Sequence, residues 1–253
     1  MARSPDIGSL GAILKAAVVA GLLAGAITAG MHSLVLEPLI ERAIELEEHA
    51  SQAHGQPSGE PVVDRPTQRW GMVLGFLVYG ATWGMLFGVL AYFAQTLRPS
   101  AWTTARYGFF LALLVGWSVA LLPFLKYPAN PPGVGSAESI GHRQWLYVGF
   151  LGLSIMGTAL AIGLSRWSRG SAHMAADGRA HWAWGLGFYT VYAVVVYVAM
   201  PANPDPLEMP GELVWPFWVI AFLGLMLFWA ALGGAFGWLI GEGVPSRLQS
   251  QST

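Results

Sequence analysis

The sequence contains no cysteine. That excludes thiolate metal sites, disulfides and thiol nucleophiles, so any metal handled by this chain must be met by nitrogen and oxygen. Charge is also scarce. Only 11% of the 253 residues are Asp, Glu, Lys or Arg, against about 25% in a soluble domain. No long polar stretch exists either, and the longest, about Glu37–Arg69, is too short for a typical domain. No GxxxxGK[ST], HExxH or GxSxG sequence occurs. A P-loop ATPase, a zinc protease of that type and an α/β-hydrolase are therefore not expected. A net charge of -1 offers no basic field for nucleic acid, and no such partner is expected.

What remains is apolar. Hydrophobic residues make up 55% of the chain, with 32 Gly and 12 Trp, two residue types favoured in and around membrane helices. Six windows have no Asp, Glu, Lys or Arg: Ala16–Leu36, Gly71–Leu97, Tyr107–Leu125, Gln144–Ser165, Trp182–Pro204 and Leu213–Gly241. Spanning a bilayer takes about 20 apolar residues, so the expected fold is all-α, a polytopic membrane bundle of six transmembrane helices in lipid. The whole chain, 1–253, is read as one integral membrane domain, with an outer segment over 37–69. The first window is too long for a signal-peptide core of about 7–15 residues and is expected to stay as a helix.

Basic residues set the orientation. With six spans, one side carries Arg3, Lys15, Arg98, Arg106, Arg166, Arg169, Arg179 and Arg247 against three acids. The other carries Arg42, Arg65, Arg69, Lys126 and Arg143 against eleven. The positive-inside rule then predicts both termini in the cytoplasm of a bacterial plasma membrane, with the acidic loops facing outward.

A tetrapeptide organises the second half. PANP occurs at Pro128–Pro131 and again, 73 residues on, at Pro201–Pro204. Each copy closes an apolar run, because proline lacks a backbone donor and restrains the residue before it. With Glu37-Pro38 after the first run, helices one, three and five all leave at proline. Three consecutive helical hairpins about an axis along the membrane normal are expected.

The candidate chemistry gathers on the acidic side. His32 is the one imidazole deep in an apolar run, and an ionisable group there is a functional candidate. After it, Glu37, Glu41, Glu45 and Glu48 lie at i, i+4, i+8 and i+11, on one face of a short amphipathic helix, with His49 four after Glu45. Repulsion among those carboxylates would be relieved by a cation, and carboxylate with imidazole suits a divalent ion of the Mn, Co, Ni or Zn kind. A solvated acidic face is the alternative. His54, Glu138, His142, Asp205, Glu208 and Glu212 belong to the same side. Asn130, Asn203 and Lys126 are candidates to line an ion's path, Lys126 alternatively as an interfacial anchor or a partner of Glu138. Glycines at 21 and 25, along 71–88, and at 233, 237 and 241 read as helix-packing surfaces.

Taken in order, the glycine-rich first helix with His32, then EPLIERAIELEEH (37–49), PFLKYPANPPGVG (123–135) and MPANPDPLEMPGELVW (200–215), resemble the CbtA family of predicted cobalt transporter subunits. The resemblance implies cobalt uptake feeding corrinoid synthesis. It also implies a partner, CbtB, a small single-helix membrane protein with a histidine-bearing end. Cobalt would be cargo, with no permanently bound cofactor and no catalysis. The rival expectation is a non-transporting structural subunit of a membrane complex, packed shut and offering an apolar flank.

Overall fold

The computed structural model describes residues 8–53, 63–130, 135, 138–169, 180–205 and 210–242. Among them there is no strand. The helices are α1 (Leu10–Met31), α2 (Glu37–Ala53), α3 (Arg65–Ala94), α4 (Thr104–Gly116), α5 (Leu122–Lys126), α6 (Ile140–Arg169), α7 (Ala180–Ala199) and α8 (Gly211–Glu242). Two five-residue π-turns, His32–Leu36 and Trp117–Leu121, join α1 to α2 and α4 to α5. Six stretches are long and apolar enough to cross a membrane: Leu10–Leu46, Arg65–Leu97, Thr104–Lys126, Ile140–Ser168, Trp182–Ala199 and Gly211–Gly241. The six-span all-α expectation is met.

The first span differs in one respect from the sequence reading. The chain does not stop at Glu37-Pro38. It runs on helically for 37 residues, from Leu10 to Leu46, because the break is absorbed by a π-turn. A proline inside a helix supplies no N–H, and its ring collides with the carbonyl four residues back. Widening the turn by one residue relieves that collision. Here the Glu37 N–H reaches back five residues to the His32 carbonyl. The second π-turn stands in the same relation to Pro123, ending two residues before it as the first ends two before Pro38. Helix three therefore passes Pro123 and ends only at Tyr127, ahead of the first PANP.

The chain forms two compact units, Met1–Gly116 with Glu212–Thr253, and Trp117–Gly211. In the first unit, α1 and α3 cross with their backbones in contact. A Cβ at Gly21 would run into the carbonyl of Gly80, one at Gly25 into that of Phe76, and one at Gly84 into that of Ala17. Three of the five α3 glycines (80, 84 and 88) serve this crossing, whereas Gly71 and Gly75 have nothing within 4 Å of an added Cβ. On α8, Gly233 and Gly237 take Phe109, Ala112 and Ala105 of α4 in the same way. The rest of this core is aromatic. Tyr79, Trp83 and Phe87 of α3 meet Phe228, Trp229 and Phe236 of α8 edge to face, with ring centroids 5.0–5.3 Å apart. Such pairs add about 0.5–1.5 kcal/mol each beyond the area they bury.

In the second unit, hydroxyls stitch the helices. Ser154 Oγ on α6 donates to the Ser118 carbonyl (2.6 Å), and Ser118 Oγ meets Thr158 Oγ1 (2.7 Å). Trp117 Nε1 donates to Tyr189 Oη on α7 (2.6 Å). Ser154 and Thr158 thus bond across helices, directed at the π-turn.

Candidate functional site

His32 opens the first π-turn. Its ring meets the edge of Phe76 on α3 at 4.7 Å, and its Nε2 stands where a Cβ on Gly224 of α8 would have to go. The imidazole therefore points into the first unit, half-buried among α1, α3 and α8. One helical turn before it, the buried Thr28 hydroxyl has no hydrogen-bond partner among the described residues. Past that level the core closes: Phe87, Phe228, Trp229 and Phe236 are all nearly inaccessible.

Glu37 is next along the helix and is buried. Arg65 Nη2 lies 2.7 Å and Arg69 Nε 3.0 Å from its Oε1, and Arg69 Nη2 also pairs with Glu41 Oε1. Two acids four apart on α2 thus face two arginines four apart at the start of α3. The signal is present in the sequence as matching i, i+4 spacings of Glu37 with Glu41 and of Arg65 with Arg69. Glu45 and His49 follow as exposed side chains on α2. The Glu48 side chain, His54 and Glu208 lie outside the described residues. Among the described residues, no three His, Asp or Glu side chains stand close enough together to share an ion. Glu138, His142 and Glu212 are exposed.

The predicted path residues sit in the second unit, where they join its two PANP segments. Asn203 Nδ2 donates to Asn130 Oδ1 (3.4 Å), and the Asp205 N–H donates to Asn203 Oδ1 (3.2 Å). Tyr127 Oη donates to the Pro201 carbonyl (2.7 Å) and Tyr197 Oη to that of Leu125 (3.1 Å). Burial pushes the Tyr127 phenol up, so it keeps the proton it donates. Asp205, 5% exposed, is held by Arg143 at 2.9 Å. Gly135, at φ +100°, fits between them, since a Cβ there would lie 2.6–2.9 Å from Arg143 Nη1, Asp205 Oδ2 and Asn130 Nδ2. Lys126 forms no ion pair with Glu138. Its ammonium stands over the Tyr197 ring (4.9 Å) and, less closely, that of Tyr127 (5.9 Å). Arg143 as the partner of Asp205 is not legible in the sequence, where it counts only among the basic residues of the acidic side.

Six apolar helices of spanning length, acids and arginines gathered at α2 and α3, and polar helix ends knitted by repeated prolines define a polytopic membrane protein. The sequence model of the family described as a probable cobalt transporter subunit (CbtA) matches residues 10–241. The chain belongs to that family. No curated protein and no solved structure matches it.

Proposed function

We propose that this chain is the membrane subunit of a cobalt uptake transporter that captures the divalent ion at its acidic, histidine-bearing end, on the extracytoplasmic side. The family supports cobalt transport and a subunit role. The observation that carries the capture step is the pairing of Glu37 and Glu41 with arginines that remain partly exposed, Arg69 by 51%. Glu41, 42% exposed, can exchange one cation for another at little cost, while the buried Glu37 keeps its arginines. His32, on the same side toward α3, would supply the nitrogen ligand one step further in. Glu45 and His49, exposed along α2, would add to the field that concentrates a dication. The bias of basic residues supports an orientation with both termini in the cytoplasm, in a bacterial inner membrane. A partner is implied by the family's description as a subunit. A single-helix, histidine-bearing protein of the CbtB kind would complete the donor set. The chain itself carries out no catalysis and holds no resident cofactor, the ion being its cargo.

A second reading has an observation in its favour. The aromatic core beyond His32 is closed, as expected of a structural subunit that holds a complex without passing ions. Cobalt accumulation in cells expressing the chain with its partner separates the two. His32→Ala combined with Glu41→Ala should lower uptake several-fold at low external cobalt while the protein still inserts. Uptake equal to the unaltered chain would remove the capture site and leave the structural reading.

A further inference from the structure

The two π-turns are copies of one unit. His32–Glu41 reads HSLVLEPLIE and Trp117–Lys126 reads WSVALLPFLK. Serine, leucine and proline recur at the same offsets, and the widened turn falls at the same place in each. Helix five, which shares PANP with helix three, has Val196 where helix three has Pro123, and it runs as a regular helix there. Helix three is thus the linking copy, tied to helix one by its π-turn and to helix five by PANP.

The copies differ in how they are held. The second π-turn is pinned to two other helices, through Ser154 and Thr158 of α6 and Tyr189 of α7. Its Ser118, Ala120 and Leu121 are buried, as are Leu122 and Pro123 after it. In the first, Ser33 Oγ bonds only back to Ala29 of its own helix. Leu34 is 80% and Val35 46% exposed. Among the described residues, no hydrogen bond joins His32–Leu36 to another helix. What fixes α2 against α3 is the Glu37, Glu41, Arg65 and Arg69 clasp, and its outer pair, Glu41 with Arg69, is about half exposed and weakens with salt.

The widened turn also decides where those acids point. In an α-helix, residues five apart stand about 140° apart around the axis. A π-turn holds roughly one residue more and brings them to about 50°. His32 and Glu37 are five apart, and both face α3: one on Phe76, the other on Arg69, two helical turns earlier along α3. Were the turn to tighten into an α-helix, α2 would rotate by about 90° and carry Glu37 and Glu41 off the arginines.

We infer that His32–Leu36 is a two-state joint that positions Glu37 and Glu41, with the arginine clasp as its lock and the pinned turn at Trp117–Leu121 as its immobile counterpart. Pro38, Arg65 and Arg69 are its positioning residues. The device belongs to the first copy alone, because the residues matching His32, Glu37 and Glu41 are Trp117, Leu122 and Lys126. It goes beyond the transport reading, and its test uses no metal.

The cysteine-free chain allows clean paired spin labels. Leu46→Cys with Leu74→Cys, both exposed, reports α2 against α3, and Leu125→Cys with Val148→Cys reports the second unit. Distances are measured by pulsed electron resonance in lipid nanodiscs. At low salt the first pair should give one narrow distance. Raising salt to about 1 M, or introducing Glu37→Gln with Glu41→Gln, should bring up a second, several-fold enriched population. The control pair should stay unchanged. Pro38→Ala, which restores the missing donor, should favour the second distance without added salt. A single distance for the first pair under all of these conditions would overturn the joint. So would equal broadening of both pairs, which would mean general loosening.

Discussion

At the residue scale, a few glycines and one buried carboxylate carry much of the arrangement. The α1–α3 crossing depends on the absence of side chains at Gly21, Gly25, Gly80 and Gly84, where a Cβ would meet backbone atoms of the facing helix. Backbone cannot swing aside as a side chain can. Gly21→Val should therefore lower stability by about 1–3 kcal/mol, the usual cost of overpacking, whereas Gly75→Ala, facing open space, should be nearly neutral. Thermal unfolding in detergent checks both. Glu37 and Asp205 were both legible as outer acids, yet each is bound by arginine. Sequence shows sign and spacing along one helix. It does not show which base another helix brings opposite, and Arg143 with Asp205 lies 62 positions apart along the chain.

At the scale of the element, composition alone made the six spans legible, because an uncharged stretch of this length has few other places to go. The π-turns were not. A proline after an apolar run reads equally as the first residue of a new helix or as a kink in an old one. In both places the helix continues through a widened turn, and the two differ in whether a neighbour takes up the disturbed backbone. In the second unit one does, since Ser154 donates to the Ser118 carbonyl. Ser154→Ala should leave that carbonyl without its side-chain donor and cost about 1 kcal/mol. Ser154→Thr, which keeps a hydroxyl, should cost less. Denaturation of the two variants side by side, followed by tryptophan fluorescence, would read the difference, and an Ala variant as stable as the parent would mean the bond contributes nothing to the π-turn.

For the molecule as a whole, the repeat read from PANP has a physical counterpart. Within the second unit, four hydrogen-bonded pairs that join the third span to the fifth and its PANP are separated by 72, 72, 74 and 73 residues: Trp117 with Tyr189, Leu125 with Tyr197, Tyr127 with Pro201, Asn130 with Asn203. These separations match the 73-residue spacing of the two PANP copies. Equivalent residues meet at Asn130 and Asn203, and the other three pairs lie within one position of equivalence, the arrangement expected close to an axis relating parallel repeats. The sequence located the copies but assigned Asn130 and Asn203 to an ion's path. Their side chains are bonded to one another. Asn130→Ala and Asn203→Ala should each destabilise by about 0.5–1.5 kcal/mol. The double variant should cost markedly less than their sum, because the second change removes a bond already broken. Additive effects in a double-mutant cycle would show that the two amides act apart.

The contact of α1 and α3 through bare backbone has a mechanical meaning. Two rods pressed together along 21, 25, 80 and 84 share a fulcrum, and beyond Met31 the first of them continues as an arm. That arm, α2, has 17 residues and is about 25 Å long at 1.5 Å per residue. A tilt of about 10° at its root would carry its tip about 4 Å, far enough to admit or expel an ion and its water while the shaft below stays still.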